Sequence, residues 1–251
     1  QNADQWDPSC PRPLHIELAE WAELVIVAPL SATSLSRWVQ GSGDGLLACI
    51  LLACECPILA AAAMNTAMWR HAAVRQNWGR LDDDPRVLPL APEGGLLACD
   101  RVGAGRMASP GRIELAAASA LLQADVDGNL RSDWRGRHVL VTAGPTQEVL
   151  DCVRLMSNRS SGRMGVLLAQ AALLRGATVD LVHGPLQVPE SWMEGLNGFP
   201  VGSSAEMDEK LRQLQPSADA VLMCAAVADL RRSSADRHLK VPKDQLIGSL
   251  E

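Results

Sequence analysis

The chain has 251 residues, enough for one large domain or two of ordinary size, and its 47% hydrophobic and 21% charged content is that of a soluble globular protein. A formal net charge of −6 argues against nucleic acid or an anionic membrane as the main partner. Seven cysteines, at 10, 49, 54, 56, 99, 152 and 224, form neither a CxxC pair nor a Cys–His grouping with zinc spacing, which fits a reducing cytosol and a cytoplasmic protein. The longest apolar runs, such as GLLACILLAC (45–54), are too short to span a bilayer, and no signal peptide opens the chain. Both ends read as the interior of a longer protein, so a fragment cut at both ends is expected.

In chain order, LVIVAP (24–29) reads as a short buried strand and SATSLSRWVQ (31–40) as a helix with a hydroxyl cap. LLACILLAC (46–54) reads as a buried helix, PILAAA (57–62) as the next strand, 66–80 as an amphipathic helix and RVLPL (86–90) as a strand. The Gly-rich stretch 91–107 is too broken for regular structure. SPGRIELAAASALLQA (109–124) reads as a helix with Pro near its first turn. The polar segment 125–136 reads as a linker. After it come a strand and tight turn (RHVLVTAGPT), a helix with Gly at both ends (SGRMGVLLAQAALLRG) and a strand (ATVDLVHGP). A helix with Ser203 and Glu206 at capping-box spacing and a buried strand, DAVLMCAAVAD, follow. Strand–helix alternation in both halves predicts an α/β protein of two Rossmann-like parallel-sheet units, over 1–124 and 137–251.

Several residues invite chemistry, each beside a plainer reading. Asn65 stands where a buried strand stops and a helix starts, so it is either an N-cap or a polar group at the mouth of an α/β sheet. SNRSSGRMG (157–165) sets Ser160, Ser161 and Gly162 before an apolar helix, which is either a capped start or an anion site. It is neither a Walker A loop nor a GxGxxG fingerprint. Asp229 ends a strand, as turn residues and nucleotide-site acids both do. Lys240 is one of three lysines and alone reads as a solvated side chain. His15 precedes the amphipathic segment IELAEWAEL. Cys99 differs from the other cysteines by lying in a Gly-rich loop, either as an incidental thiol or as the reactive group of a lid. No Ser-His-Asp arrangement stands above chance.

Together these segments resemble one family, the bifunctional flavoprotein of coenzyme A biosynthesis that joins phosphopantothenoylcysteine decarboxylase to phosphopantothenate–cysteine ligase. HIELAEWAELVIVAP is similar to the family's His-containing segment, APLSATS to its flavin-contacting motif, AMNTAMW to its Pro-Ala-Met-Asn motif and ACDRVGAGRM to its substrate clamp. VTAGPTQEVLDCVRLMSNRSSGRMG and AAVADLR resemble the ligase. The segments occur in the family's order.

The resemblance implies a flavodoxin-like, FMN-binding decarboxylase domain followed by a nucleotide-binding ligase domain. His15 matches the active-site His, Asn65 the contact to the substrate carboxylate, and Cys99 the proton donor on a flap. Pro29, Ser31 and Thr33 fall on flavin contacts and Met64 on the substrate motif. The implied decarboxylation is redox-neutral and passes through a thioaldehyde that eases loss of CO₂. In the second half, Asn158 matches the residue that handles an acyl-cytidylate, and Arg154, Ser160, Ser161 and Gly162 match substrate contacts. Ala225 and Asp229 match nucleotide contacts. The catalytic lysine falls on Lys240 or Lys243. The implied ligands are FMN, Mg²⁺, CTP as co-substrate, 4′-phosphopantothenate and cysteine. A homo-oligomer with neither nucleic acid nor membrane partners is expected.

The sequence departs from the family at Ala62, where Pro is usual, at Thr33, where Asn is common, and at Asp100 and Arg101, which replace Gly-Asp. The family's first βα unit and the last third of its ligase lie outside these residues. Three rivals are weighed. One is another flavoprotein of this fold, such as a peptidyl-cysteine decarboxylase, which residues 137–230 count against. The others are a regulatory, phosphatase-inhibitor-like binding protein, which His15, Asn65 and Cys99 disfavour, and an inactive product.

Overall fold

The structure, a computed structural model, describes residues 12–96, 102–130, 132–232 and 239–242. The chain divides into two compact units, Gln1–Arg131 and Ser132–Glu251.

The first unit runs α1 (Leu14–Trp21), β1 (Val25–Leu30), α2 (Ala32–Val39), α3 (Leu46–Ala53), β2 (Ile58–Ala62), α4 (Thr66–Arg70), α5 (Ala72–Asp82), β3 (Val87–Leu90), β4 (Glu93–Leu96), β5 (Val102–Arg106) and α6 (Pro110–Gln123). Strands β1, β2 and β3 form a parallel sheet in that order. All five residues of β2 are buried, which is why it reads as an unbroken apolar run. Its core holds Leu30, Leu35, Leu51 and Ile58 with Trp38, Trp69 and Trp78. The rings of Trp69 and Trp78 meet edge to face, 5.1 Å between centroids.

Four expectations for the first unit need correction. The strand read over 24–29 is not buried: β1 lies at the end of the described sheet and leaves Ile26, Ala28 and Pro29 exposed. The helix over 66–80 is two helices, because His71 is extended (φ −64°, ψ 135°) and its Nδ1 accepts from Ala73 N at 3.3 Å. A capping side chain there offers the backbone an alternative to one continuous helix. Helix α3 is only half-buried: it packs on α1 and α2 through Ala48 and Leu51 and leaves Leu47 and Leu52 exposed. The Gly-rich stretch contains an antiparallel pair, β4 with β5, in which Gly94 faces Ala104 and Gly95 faces Gly103. Backbone pairing builds it, so it has no side-chain alternation to read. A Cβ at Gly103 would lie 2.4 Å from Thr66 Oγ1, so the Thr66 side chain would have to move.

The second unit runs β6 (His138–Ala143), β7 (Gln147–Val149), β8 (Leu155–Ser157), α7 (Arg163–Leu174), β9 (Thr178–His183), β10 (Asn197–Pro200), α8 (Ser204–Leu214) and β11 (Ala220–Met223). Its parallel sheet has the order β10–β9–β6–β11, and β7 and β8 form a small antiparallel pair. Val139, Val141, Val166, Ala169, Val179 and Leu181 make the core between the sheet and α7. Strand β11 was expected to be buried, but it lies at the end of the described sheet, with Val221 and Met223 exposed. Helix α8 has a modified capping box. Ser203 Oγ accepts from Glu206 N at 3.2 Å, while Glu206 Oε2 accepts from Gly202 N at 2.7 Å, one residue earlier than the usual partner.

The polar segment 125–136 is structured at both ends. The Asp125 carboxylate accepts from Asp127 N and Asn129 N, and Leu130 N donates to Pro85 O at 2.7 Å in the first unit. Trp134 packs on the core of the second unit.

Two glycines test this packing. A Cβ at Gly184 would fall 1.7 Å from Pro145 O, where backbone would have to move, whereas a Cβ at Gly79 in α5 would meet nothing within 4 Å. Gly184→Ala is expected to destabilise the second unit by about 2 kcal/mol. Gly79→Ala is expected to stabilise the first by about 0.5–1 kcal/mol through helix propensity. Urea denaturation of the two variants checks both signs.

Candidate functional site

In the first unit the predicted residues gather where β1 and β2 end. Leu30 pairs with Ala62 in the parallel ladder, and Ala63 N donates to Leu30 O at 3.1 Å, which ties the two strand ends together. Pro29 follows a cis peptide bond at the end of β1. Ser31 caps α2, its Oγ accepting from Ser34 N at 3.2 Å, and Thr33 is exposed in the first turn. Met64 N donates to Gly105 O at 3.0 Å, docking β5 beside the end of β2. Asn65 caps α4: its Oδ1 accepts from Ala67 N at 2.8 Å. The cap uses Oδ1, while the donor of the amide is Nδ2, so capping and contact with a carboxylate use different atoms. Thr66 Oγ1 is buried with no hydrogen-bond partner among the described residues.

His15 is half-buried in the first turn of α1. Only three residues join α1 to β1, so the helix runs back along the strand and connectivity puts His15 towards the edge where β1 ends. Cys99, with Asp100 and Arg101, lies outside the described residues, in the connection between β4 and β5. A recess of about 100 Å³ between α2 and α3 is lined by Ser34, Arg37, Asp44 and Leu47. A larger one, about 530 Å³, opens at the opposite edge of the sheet beside Glu23, Glu55 and Cys56 and touches none of the predicted site residues.

In the second unit three loops meet beyond β6 and β11. The Thr142 hydroxyl, fully buried, accepts from both Cys224 N (2.9 Å) and Ala225 N (3.0 Å). Ala226 N donates to Gly144 O at 2.8 Å, and Thr146 Oγ1 accepts from Ala228 N at 2.9 Å. Asn158 Nδ2 donates to Ala226 O (3.3 Å) and Val227 O (2.9 Å), so its amide holds the segment that carries Ala225 and Asp229. The Asp229 carboxylate is exposed. Ser160 Oγ accepts from Gly162 N at 3.3 Å and Ser161 Oγ from Arg163 N at 3.4 Å, which shapes the start of α7. Gly162 has φ +74°, and a Cβ there would lie 2.2 Å from the Leu186 side chain, so the turn requires glycine.

Arg154 is engaged by a residue that sequence reasoning missed. Asp151 is 3% exposed, and its Oδ1 accepts from Val153 N (2.9 Å) and Arg154 N (2.8 Å). Its Oδ2 accepts from Arg154 Nε (3.0 Å) and Nη2 (2.5 Å) and from Val241 N (3.1 Å). Arg154 Nη2 also donates to Val241 O at 2.5 Å. The Arg154 guanidinium, with the backbone donors, holds the Asp151 carboxyl well below the usual carboxylate range. Lys240, the neighbour of Val241, is exposed, and Lys243 lies outside the described residues. No sequence signal singles out Asp151, since every residue but proline supplies such backbone donors and the partner Val241 lies 90 residues further along the chain.

Among the described residues no three His, Cys, Asp or Glu side chains come together as metal ligands, and no helix is long and apolar enough to cross a membrane.

Two substitutions separate the roles of these groups. Asn65→Ala is expected to cost about 1 kcal/mol of stability, while Asn65→Asp, an equally good cap, costs little yet replaces an amide donor with a carboxylate. If Asn65 contacts an anionic ligand, both variants lose ligand binding by calorimetry and only the Ala variant loses stability. A depressed carboxyl pKa stabilises the fold above its unfolded value near 4, and that contribution is lost as the pH falls through the folded value. The wild-type acid-denaturation limb below pH about 4 should therefore be steeper than that of Asp151→Asn, as followed by urea midpoint against pH.

Residues 2–120 match the family described as Flavoprotein, and residues 134–250 match the DNA/pantothenate metabolism flavoprotein C-terminal domain. The chain is 40% identical over 231 residues to the coenzyme A biosynthesis bifunctional protein CoaBC of Vibrio cholerae serotype O1. It is 37% identical over the same length to its namesake of Bacillus subtilis (strain 168). Each alignment covers 92% of this chain and 55% of the relative, so the chain spans about half the length of these curated relatives. A cysteine/cysteine sulfinic acid decarboxylase of an unknown prokaryotic organism is 35% identical over 94% of this chain and 65% of its own. The first half of the chain is thus similar to the Flavoprotein family, the second to the DNA/pantothenate metabolism flavoprotein C-terminal domain, and nearly the whole length to the bifunctional proteins of coenzyme A biosynthesis.

Proposed function

We propose that the protein performs two steps of coenzyme A biosynthesis: CTP-dependent joining of 4′-phosphopantothenate to cysteine, and FMN-dependent decarboxylation of the 4′-phosphopantothenoylcysteine so formed. The supporting observation is that, among the described residues, Pro29, Ser31, Met64 and Asn65 in the first unit and Ala225 and Asn158 in the second lie at strand ends of a parallel sheet, the edge at which α/β folds take ligands.

In the first unit the available groups suit FMN. Hydroxyl and amide side chains without formal charge (Ser31, Thr33, Asn65) flank the ends of β1 and β2, and the buried Thr66 hydroxyl lies beside them. Pro29, Ser31 and Thr33 would hold the cofactor, which supplies reversible two-electron chemistry at the cysteinyl thiol. Asn65 orients the substrate carboxylate with its amide donor, and Met64 packs beside it. His15 manages a proton at the same edge. Cys99 donates its thiol proton to the carbon left by CO₂.

In the second unit the carboxylate of phosphopantothenate displaces pyrophosphate from CTP, and the amine of cysteine then displaces CMP to give the amide. Lys240 faces the charge that develops on phosphorus. Asn158 positions the loop of Ala225 and Asp229, which take the nucleotide. Mg²⁺ arrives with the triphosphate, as hard cations held mainly by substrate oxygens do. The protein is expected to be cytoplasmic and homo-oligomeric.

Similarity to the cysteine/cysteine sulfinic acid decarboxylase extends across both units and favours a second reading, decarboxylation of a small cysteine-type acid without CTP. The test supplies the intact protein with phosphopantothenate, cysteine, CTP and Mg²⁺ and follows CMP, pyrophosphate and CO₂ together. Equal yields of all three are expected, with CO₂ lost in Cys99→Ser. CO₂ from cysteine or cysteine sulfinate with CTP omitted supports the second reading. No CMP overturns the ligase assignment.

A further inference from the structure

Lys240 is exposed, so its place is set by its backbone. Its neighbour Val241 is gripped at both peptide groups: the N–H donates to Asp151 Oδ2 and the C=O accepts from Arg154 Nη2. Asp151 and Arg154 are themselves joined, so one ion pair holds both ends of the residue. One hydrogen bond on each flanking peptide group fixes the orientation of the residue as well as its position.

A loop-capping role explains only half of Asp151. Its Oδ1 closes the turn 151–154, as an Asx turn requires. Its Oδ2 instead faces a segment 90 residues further along the chain. The same oxygen neutralises Arg154, whose guanidinium becomes a strut rather than a second free cation. We infer that Asp151 is a positioning residue for the CTP-dependent step, acting through Arg154 and Val241 to set the place of Lys240. The inference rests on reading the second unit as the ligase. Lys240 is the catalytic residue in this arrangement, and Asp151 touches no substrate.

Asp151→Asn tests the clamp selectively. The Asn oxygen can keep both bonds of the turn, but its NH₂ then faces the Val241 N–H and the guanidinium, so the acceptor that joined those donors is lost. Arg154→Met removes the other jaw and leaves the turn intact. Hydrogen exchange and pyrophosphate release are measured on the intact protein and each variant. Exchange of the Val241 amide should rise roughly tenfold or more in Asp151→Asn, with the amides of β6 and β9 unchanged. The kcat for pyrophosphate release should fall about tenfold or more while KM for CTP stays within about twofold, the signature of lost alignment rather than lost binding. In a Lys240→Ala background, Asp151→Asn should have no further effect on kcat.

Unchanged Val241 exchange in both variants overturns the clamp. Faster exchange with unchanged kcat, where Lys240→Ala alone lowers kcat to a measurable residual rate, overturns the positioning role. A kcat loss that persists undiminished in the Lys240→Ala background assigns Asp151 to structure alone and overturns it too. Wild-type protein that releases no pyrophosphate removes the ligase reading, a different failure, and Val241 exchange then decides the clamp by itself.

Discussion

Main-chain groups released where parallel strands end are the constraint from which both sites follow. A strand inside a sheet satisfies its N–H and C=O groups through its neighbours, but the residues just beyond it must find other partners, and leaving one buried and unpaired costs about 1–3 kcal/mol. In the first unit Leu30 O takes Ala63 N, and Met64 N takes Gly105 O, so the ends of two strands and a distant hairpin are joined through single peptides. In the second unit the Thr142 hydroxyl takes two amides and the Asn158 amide reaches two carbonyls. Residues proposed for chemistry therefore sit on loops that the backbone has already fixed.

Charge is handled differently in the two units. The proposed flavin edge offers hydroxyls and an amide, while the ion pairs of Glu93 with Arg106 and Arg112 belong to the hairpin and α6. The second unit commits a buried carboxylate. A buried pair gains little net stability over an apolar replacement, because desolvation offsets the attraction unless every lone pair is used. Asp151 meets that condition with three backbone donors and a guanidinium. So complete an arrangement also orders the distant segment that it reaches.

Much of this architecture is legible in the residues, and the illegible parts share a cause. Apolar runs such as ILAAA mark central strands because burial on both faces forces that composition. Ser31, Ser109 and Ser203 announce helix starts because a hydroxyl there has one obvious backbone partner. The β4–β5 hairpin stays hidden because Gly94, Gly95 and Gly103 carry no side chain, which leaves no side-chain period. The break at His71 hides because a cap inside an amphipathic pattern does not disturb the pattern. Within the candidate site, Asn65 and the 157–162 segment stand out by type and position. Asp151 does not, since its significance lies in a partner far along the chain. The family resemblance supplies roles for Arg154 and Lys240 separately, while the fold supplies the link between them.

Thr142 shows how such a link constrains the drift of the sequence. By pattern it is one more buried position near the end of HVLVTA, where valine has the same shape, greater β-propensity and no hydroxyl to desolvate. Yet that hydroxyl is the acceptor for Cys224 N and Ala225 N, so valine would leave two amides of the neighbouring loop unanswered. The position is filled according to the needs of another strand's exit rather than those of its own core. A residue that looks interchangeable by shape is thereby tied to the loop it serves, and the loop can change only together with it.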